Sequence, residues 1–247
     1  MFDRVSGQLN PVGTGRPWID PRTMATRDVV RIAARDGLSI PTLITHPRRT
    51  TAMPQGAKVP APMVVLVHGG PNVRGTRWGW EPSAQFLASL GYLVVEPEFR
   101  GSLGYGFRHF KAGWRQWGQA MQDDVTDVTR WAVERGLADP DRVCIAGASY
   151  GGYAALMGMI REPKLYRCAI NWVGVTDMEL LYTVPWSDTS EAAMGYSMPL
   201  LIGDPRQDQA MMRQQRGLLE PGCAFPECAH RRRRQTLIAP SGKPALE

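Results

Sequence analysis

Cysteine and histidine are scarce, four of each in 247 residues, and what is missing narrows the choices before any motif is read. Cysteines at 144, 168, 223 and 228 are too few and too scattered to form a disulfide scaffold in a chain of this length. Cys144 and Cys168 fall in apolar strand patterns and read as small buried residues. Cys223, Cys228 and His230 form a Cys-x4-Cys-x-His cluster without the second paired spacing of structural zinc sites, so neither metal nor cofactor is expected. No apolar run approaches the roughly 20 residues needed to cross a bilayer. The opening MFDRVSGQLNPVG lacks the basic-then-apolar order of a secretory signal. A membrane partner is therefore not expected, and the cytoplasm is the default location. The formal charge of +6 would suit a nucleic-acid partner, but it gathers at one end: from Arg213 onward seven Lys and Arg stand against three Glu and no Asp. A tail that carries most of the excess does not make a nucleic-acid surface.

What remains is a chain 43% hydrophobic, long enough to bury one large α/β core. Residues 28–46 alternate apolar and polar on both sides of Asp36-Gly37, the short-range signal of a β-hairpin. A Pro/Thr/Gly-rich linker follows, from Pro47 to Pro62. MVVLVH from Met63 is a continuous β-branched run, as expected of a strand covered on both faces. PSAQFLASLG then reads as a helix closed by Gly91 and YLVVEPEF as the next strand. QDDVTDVTRWAVERG places Met121, Val125, Val128 and Ala132 on one helical face, with Asp123 and Asp124 in its first turn. DRVCIAG, YGGYAALMGMI and RCAINWVGV continue as strand, helix and strand. Such alternation predicts a mostly parallel sheet flanked by helices.

In GASYG, residues 147–151, the apolar strand pattern gives way at once to a helical one, and the serine sits at the change. A serine hydroxyl is a poor nucleophile unless it is exposed, aimed and hydrogen-bonded to a base. A sharp strand-to-helix turn does the aiming. Gly147 and Gly151 flank it because side chains there would strike the neighbouring strand and helix. The helix that follows directs free N–H groups toward any charge developing on a substrate, so the Tyr150 N–H is a candidate oxyanion donor. The motif stands in the strand–turn–helix context that G-x-S-x-G requires. His68-Gly69-Gly70-Pro71, at the end of the first parallel strand, is where α/β-hydrolases place a second oxyanion amide, and Gly70 is the candidate. His68 precedes the serine, whereas the general base of this fold follows it, so a structural role is expected for His68.

HGGP at 68–71, RGSLGYG at 100–106, DDVTD at 123–127 and GASYGGYAAL at 147–156, in this order, resemble the catalytic domain of the prolyl oligopeptidase family, most closely its acylaminoacyl-peptidase and dipeptidyl-peptidase-like bacterial members. The likeness runs from about Arg22 to Gln209. It implies an α/β-hydrolase fold, Ser149 as nucleophile, the N–H groups of Gly70 and Tyr150 as oxyanion hole, and peptides or N-acylated peptides as substrates cleaved without metal or cofactor. It places Arg100, Ser102 and Tyr105 on a loop near the site, where packing explains each side chain equally well. Trp78, Trp80, Trp114 and Trp117 could line an apolar pocket, although core or interface is the plainer role for each.

Against the family pattern, residues 1–25 correspond at most to the end of a preceding β-propeller, 26–212 to the peptidase domain, and 213–247 to no part of it. That tail has no sustained period and is expected to be aberrant, out-of-frame sequence without order. The fold would then lack its final strands, leaving a sheet edge open to self-association. It would also lack a recognisable acid and base. Asp177 is a weak candidate for the acid, with helix capping its plainer role; His230, the one histidine after Ser149, is a weak candidate for the base. The expected function is a serine peptidase domain, weakly active or inactive as this chain. A carboxylesterase of the same fold and a non-catalytic fragment are the alternatives.

Overall fold

In the computed structural model, residues 1–13, 15–47, 59–183 and 190–216 are described. Six strands form one sheet in the order β1-β2-β4-β3-β5-β6. β1 (Arg27–Ala33) and β2 (Ser39–Thr45) are the expected hairpin, in register from Arg27 opposite Thr45 to Ala33 opposite Ser39, with Gly37 at φ 83° in the turn. β2 lies antiparallel to β4 (Leu93–Pro97). β3 (Ala61–Val67), β4, β5 (Ala138–Ala148) and β6 (Cys168–Trp172) are mutually parallel where they pair.

Alternation along the strands divides the apolar residues between two faces. Met63, Val65 and Val67 of β3, with Val143 and Ile145 of β5, face α3 (Ala120–Glu134) and α4 (Tyr150–Arg161), and the expected stripe of Met121, Val125, Val128 and Ala132 is fully buried there. Val64 and Val94, paired across β3 and β4, take the opposite face, where α1 (Pro82–Ser89) packs on β4 with Ala84 and Ala88 buried. Beyond β3 that second face thins out: Ile170 and Trp172 of β6 are 46% and 71% exposed, and β6 pairs on one side only among the described residues.

The helices of β3-α1-β4 and β5-α4-β6 lie on opposite faces, and the chain leaves β3 and β5 in opposite directions. Neighbouring strands whose connections diverge open a crevice at their carboxyl ends, and ligands of open α/β sheets bind in such crevices. His68-Gly69-Gly70 leaves β3 at that point and Ser149 leaves β5.

Three sequence expectations change here. Cys144 and Cys168, read as small buried residues, are half-buried and disulfide-bonded to each other; they are register partners on β5 and β6 with Cα atoms 4.7 Å apart, within bridging range. The strand read from Arg167 to Val175 ends at Trp172. The boundary at residue 212 falls inside a helix, Gln209–Gln214, whose Met212 is buried. Chain order continues beyond it, since the Gln215 carbonyl accepts the Tyr153 hydroxyl and Arg216 bonds Glu179. The rest of the tail, with Cys223, Cys228 and His230, lies outside the described residues, as does most of the 47–62 linker.

Candidate active site

Ser149 stands between β5 and α4 at φ 55°, ψ −121°, a backbone region that costs a non-glycine residue of order 1–3 kcal/mol and persists where the surroundings enforce it. The enforcement is visible. The Ser149 N–H donates to the Trp172 carbonyl at 3.0 Å, and its own carbonyl accepts from Tyr153 N–H at 3.1 Å. A Cβ on Gly151 would lie 2.0 Å from the Val67 carbonyl oxygen, and one on Gly147 would lie 2.5 Å from the same atom. Only bare backbone fits where strand, turn and helix converge.

The side chain is exposed. A serine at a helix N-cap ordinarily spends its hydroxyl on the first-turn amides; Ser149 makes no such bond. Tyr150 opens α4, so its N–H has no carbonyl one turn back to receive it. The Tyr150 ring is fully buried, with Phe99, Trp117 and Tyr153 at centroid distances of 5.2, 4.6 and 5.7 Å. The first helical turn is thereby anchored from below.

Across the crevice, Gly69 lies directly against the serine: a Cβ on it would stand 3.4 Å from Ser149 Cβ and 3.0 Å from the Ala148 carbonyl oxygen. Gly70 has φ 117°, open to glycine alone at ordinary cost. The His68 ring fixes the peptide between them. Its Nδ1 is 2.7 Å from the Gly69 carbonyl oxygen, its Nε2 is 3.0 Å from Ser102 Oγ, and the ring stacks on Phe99 at 4.3 Å. Burial pulls the His68 pKa down against the opposing charge of Glu98 and the Gly69 bond, so the ring carries one proton at neutral pH. A carbonyl only accepts; that proton is on Nδ1, and Nε2 accepts from the Ser102 hydroxyl. Carbonyl and N–H point opposite ways across a trans peptide, so holding the Gly69 carbonyl to one side presents the Gly70 N–H on the other. The structural role expected of His68 is thus specific: it positions an amide.

The loop carrying Ser102 is tied down by Arg100, whose guanidinium donates to both oxygens of Asp124 (Nε to Oδ2 at 2.8 Å, Nη2 to Oδ1 at 2.7 Å) and to Asp36 Oδ2 at 2.8 Å. Although burial opposes its charge, the Asp124 and Asp36 carboxylates hold the Arg100 pKa above its ordinary value. Burial pushes the Asp124 carboxyl up, and Arg100 offsets part of that push. Hairpin turn, loop and α3 meet at this one guanidinium. Tyr105 is half-buried farther along the loop. Trp117 is core, Trp114 packs edge-on against Phe107 and Phe110, and Trp78 and Trp80 are exposed.

Of the two weak candidates, His230 lies outside the described residues, and Asp177 is engaged elsewhere. The Asp177 carboxylate accepts Glu179 N–H at 2.9 Å and pairs with Arg216 at 3.1 Å, a turn-capping role just before α5 (Leu180–Thr183). Among the described residues the imidazoles are also spoken for: His46 by Asp28, His68 as above, and His109 by the Phe99 carbonyl. Sequence reasoning missed Ser102 as the partner of His68 and Asp36 as a partner of Arg100. Both contacts join residues more than 30 positions apart, and neither leaves a local signal.

A family model described as the prolyl oligopeptidase family matches residues 78–209. Dipeptidyl aminopeptidase BIII of Pseudoxanthomonas mexicana is 37% identical over 211 residues, covering 84% of this chain and 30% of that protein. Among solved structures, a puromycin hydrolase superposes with a TM-score of 0.74 at 25% identity, over 88% of this chain and 32% of the other. An acylaminoacyl peptidase in complex with Z-Gly-Gly-Phe-chloromethyl ketone superposes at 0.66 and 23% identity, over 79% and 30%; that likeness bears on the fold alone. The chain spans about a third of the length of these relatives.

Proposed function

Because the chain belongs to the prolyl oligopeptidase family, we propose that it is the catalytic region of a serine peptidase that cleaves peptide or acyl-peptide bonds through an acyl-enzyme on Ser149. The observation that carries the reading is Ser149 itself: exposed, held at φ 55° by strand and helix, its hydroxyl unspent on the cap. In the proposed reaction Oγ attacks the scissile carbonyl carbon and its proton passes to a base. The oxyanion settles between the N–H groups of Gly70 and Tyr150. Collapse expels the amine, and water then hydrolyses the ester. Preorganised amides of this kind supply roughly 10²–10³ in rate each.

As this chain, the reaction is slow. With no imidazole or free carboxylate at Ser149 among the described residues, acceleration of the order the oxyanion site alone provides, roughly 10³–10⁴ over water, is the expectation. The sheet edge at β6 and the exposed Ile170 and Trp172 support self-association of the chain in this form. Parallel assays on an acetyl-peptide anilide and a short-chain p-nitrophenyl ester, each with Ser149→Ala as control, test the reading. Serine-dependent turnover of the anilide supports a peptidase; turnover of the ester alone favours a carboxylesterase; neither, from folded protein, favours a non-catalytic fragment.

A further inference from the structure

A second concavity opens on the same carboxyl edge of the sheet, between the hairpin and the loop after β4. It holds about 270 Å³, and its walls include Arg31, Ser39, Tyr105, Arg108 and His109. Its lining contains no carboxylate. The acids of the neighbouring segments are committed elsewhere: Asp36 to Arg100, and Glu98 to the Thr76 hydroxyl at 2.6 Å. Arg31 and Arg108 make no ion pair among the described residues. Arg74 adds a third cation behind the wall, 5.4 Å from the centre of the Tyr105 ring. Two guanidiniums outside any ion pair among the described residues, a hydroxyl and a phenol shared with Arg74 line one small surface concavity, a receptor for a planar anion, which arginine's forked donors match better than any other side chain's.

The pocket is built on the framework of the serine site. His109, buried in its wall, donates Nε2–H to the Phe99 carbonyl at 3.0 Å, and its own carbonyl accepts Gly101 N–H. The Phe99 ring in turn stacks on His68. Pro41 of the pocket accepts Glu98 N–H at the carboxyl end of β4, so pocket and serine share one edge of the sheet. Three strand spacings, β2 to β4 to β3 to β5, separate them, about 14 Å at about 4.8 Å each. An extended peptide advances about 3.3 Å per residue. Four residues bridge the gap.

We propose that this pocket binds a carboxylate of a peptide substrate about four residues from the bond presented to Ser149, making it a specificity site for acidic peptides. The proposal rests on the peptidase reading and takes it one step further, to substrate class. Either a glutamate side chain or a terminal carboxylate supplies the chemistry, and the test separates them.

The full chain carrying Ser149→Ala is titrated calorimetrically at low salt with acetyl-Ala-Ala-Ala-Ala-Glu-amide and its Gln counterpart, and with acetyl-pentaalanine bearing a free or an amidated carboxyl end. In at least one pair the anionic member should bind about fivefold tighter, the scale of a partly exposed ion pair. Which pair responds identifies the source. The ratio should shrink as salt rises, vanish in Arg31→Gln/Arg108→Gln, and survive in Arg108→Lys. Equal binding within both pairs overturns the proposal, as does a ratio that persists in the double variant while circular dichroism reports native fold. Fluorophosphonate labelling of the Ser149 chain separates the two readings. A labelled serine with no anionic preference sinks the pocket alone; a preference without labelling sinks the peptidase reading alone.

Discussion

Replacing Arg100 by alanine removes the guanidinium from a carboxylate with nowhere to go. Asp124 is fully buried and keeps, after the substitution, only the backbone N–H of residue 100 at 2.8 Å. Breaking a buried pair by deleting one partner costs about 3–5 kcal/mol, because the remaining charge is stranded. Against a typical domain stability of about 5–15 kcal/mol, that is roughly a fifth of the total or more. Urea unfolding at pH 7, followed by circular dichroism, should register the loss as a lowered midpoint with unchanged slope. The pH dependence has a definite sign. Burial already raises the Asp124 carboxyl above its ordinary value, and without Arg100 nothing charged holds it down. A carboxyl whose folded-state pKa is raised carries its full penalty above that pKa and loses it as pH falls through it toward the unfolded value. The deficit of Arg100→Ala should therefore be smaller at pH 5 than at pH 7. Adding Asp124→Asn, which removes the stranded charge, should recover at least about 2 kcal/mol. A single variant costing under about 1 kcal/mol at pH 7, or a double variant no better than the single, would refute the reasoning.

Four further outcomes are expected. His68→Ala should slow fluorophosphonate modification of Ser149 by roughly 10²–10³, the effect of losing one oxyanion donor, whereas His68→Asn, whose amide can donate where Nδ1–H does, should stay within about tenfold of wild type. Because the His68 pKa is lowered in the fold, its neutral ring contributes stability above the unfolded value near 6.5 that fades as pH falls; comparing wild type with His68→Asn by urea midpoints from pH 7 to 5 isolates this from the buried Glu96, whose pKa of about 7 acts in the opposite direction. Ile170→Lys/Trp172→Lys should lower concentration-dependent association in sedimentation experiments by charging β6, which pairs on one side only among the described residues. Mass spectrometry of an unreduced, alkylated digest should recover Cys144 and Cys168 as one linked pair, and reduction should cost about 3–4 kcal/mol, the loop-closure value for a separation of 24 residues.

The parts of the fold that pattern alone revealed are those governed by local rules. Asp36-Gly37 announces its hairpin because few dipeptides adopt that turn; the α3 stripe and the β-branched runs announce their elements by period. The glycines of GASYG were legible for a concrete reason, since Gly151 passes so near the Val67 carbonyl that no Cβ fits. What stayed hidden depends on register and distant pairing. That Cys144 and Cys168 are opposite one another follows from how β5 and β6 align, which neither strand's sequence states. Arg100 meets Asp36 across 64 residues, and Asp36 had already been accounted for as a turn residue. The burial of Met212 was hidden for a similar reason, since its helix is too short to show a period.

Intact-mass and peptide-level analysis after exposure to a fluorophosphonate asks the central question most directly: whether the Ser149 hydroxyl, perched between β5 and α4, acts as a nucleophile. The expected result is slow, stoichiometric addition to the peptide containing Ser149, lost in Ser149→Ala and suppressed in His68→Ala. Folded protein that takes up no probe on long exposure, or takes it up elsewhere, contradicts the account.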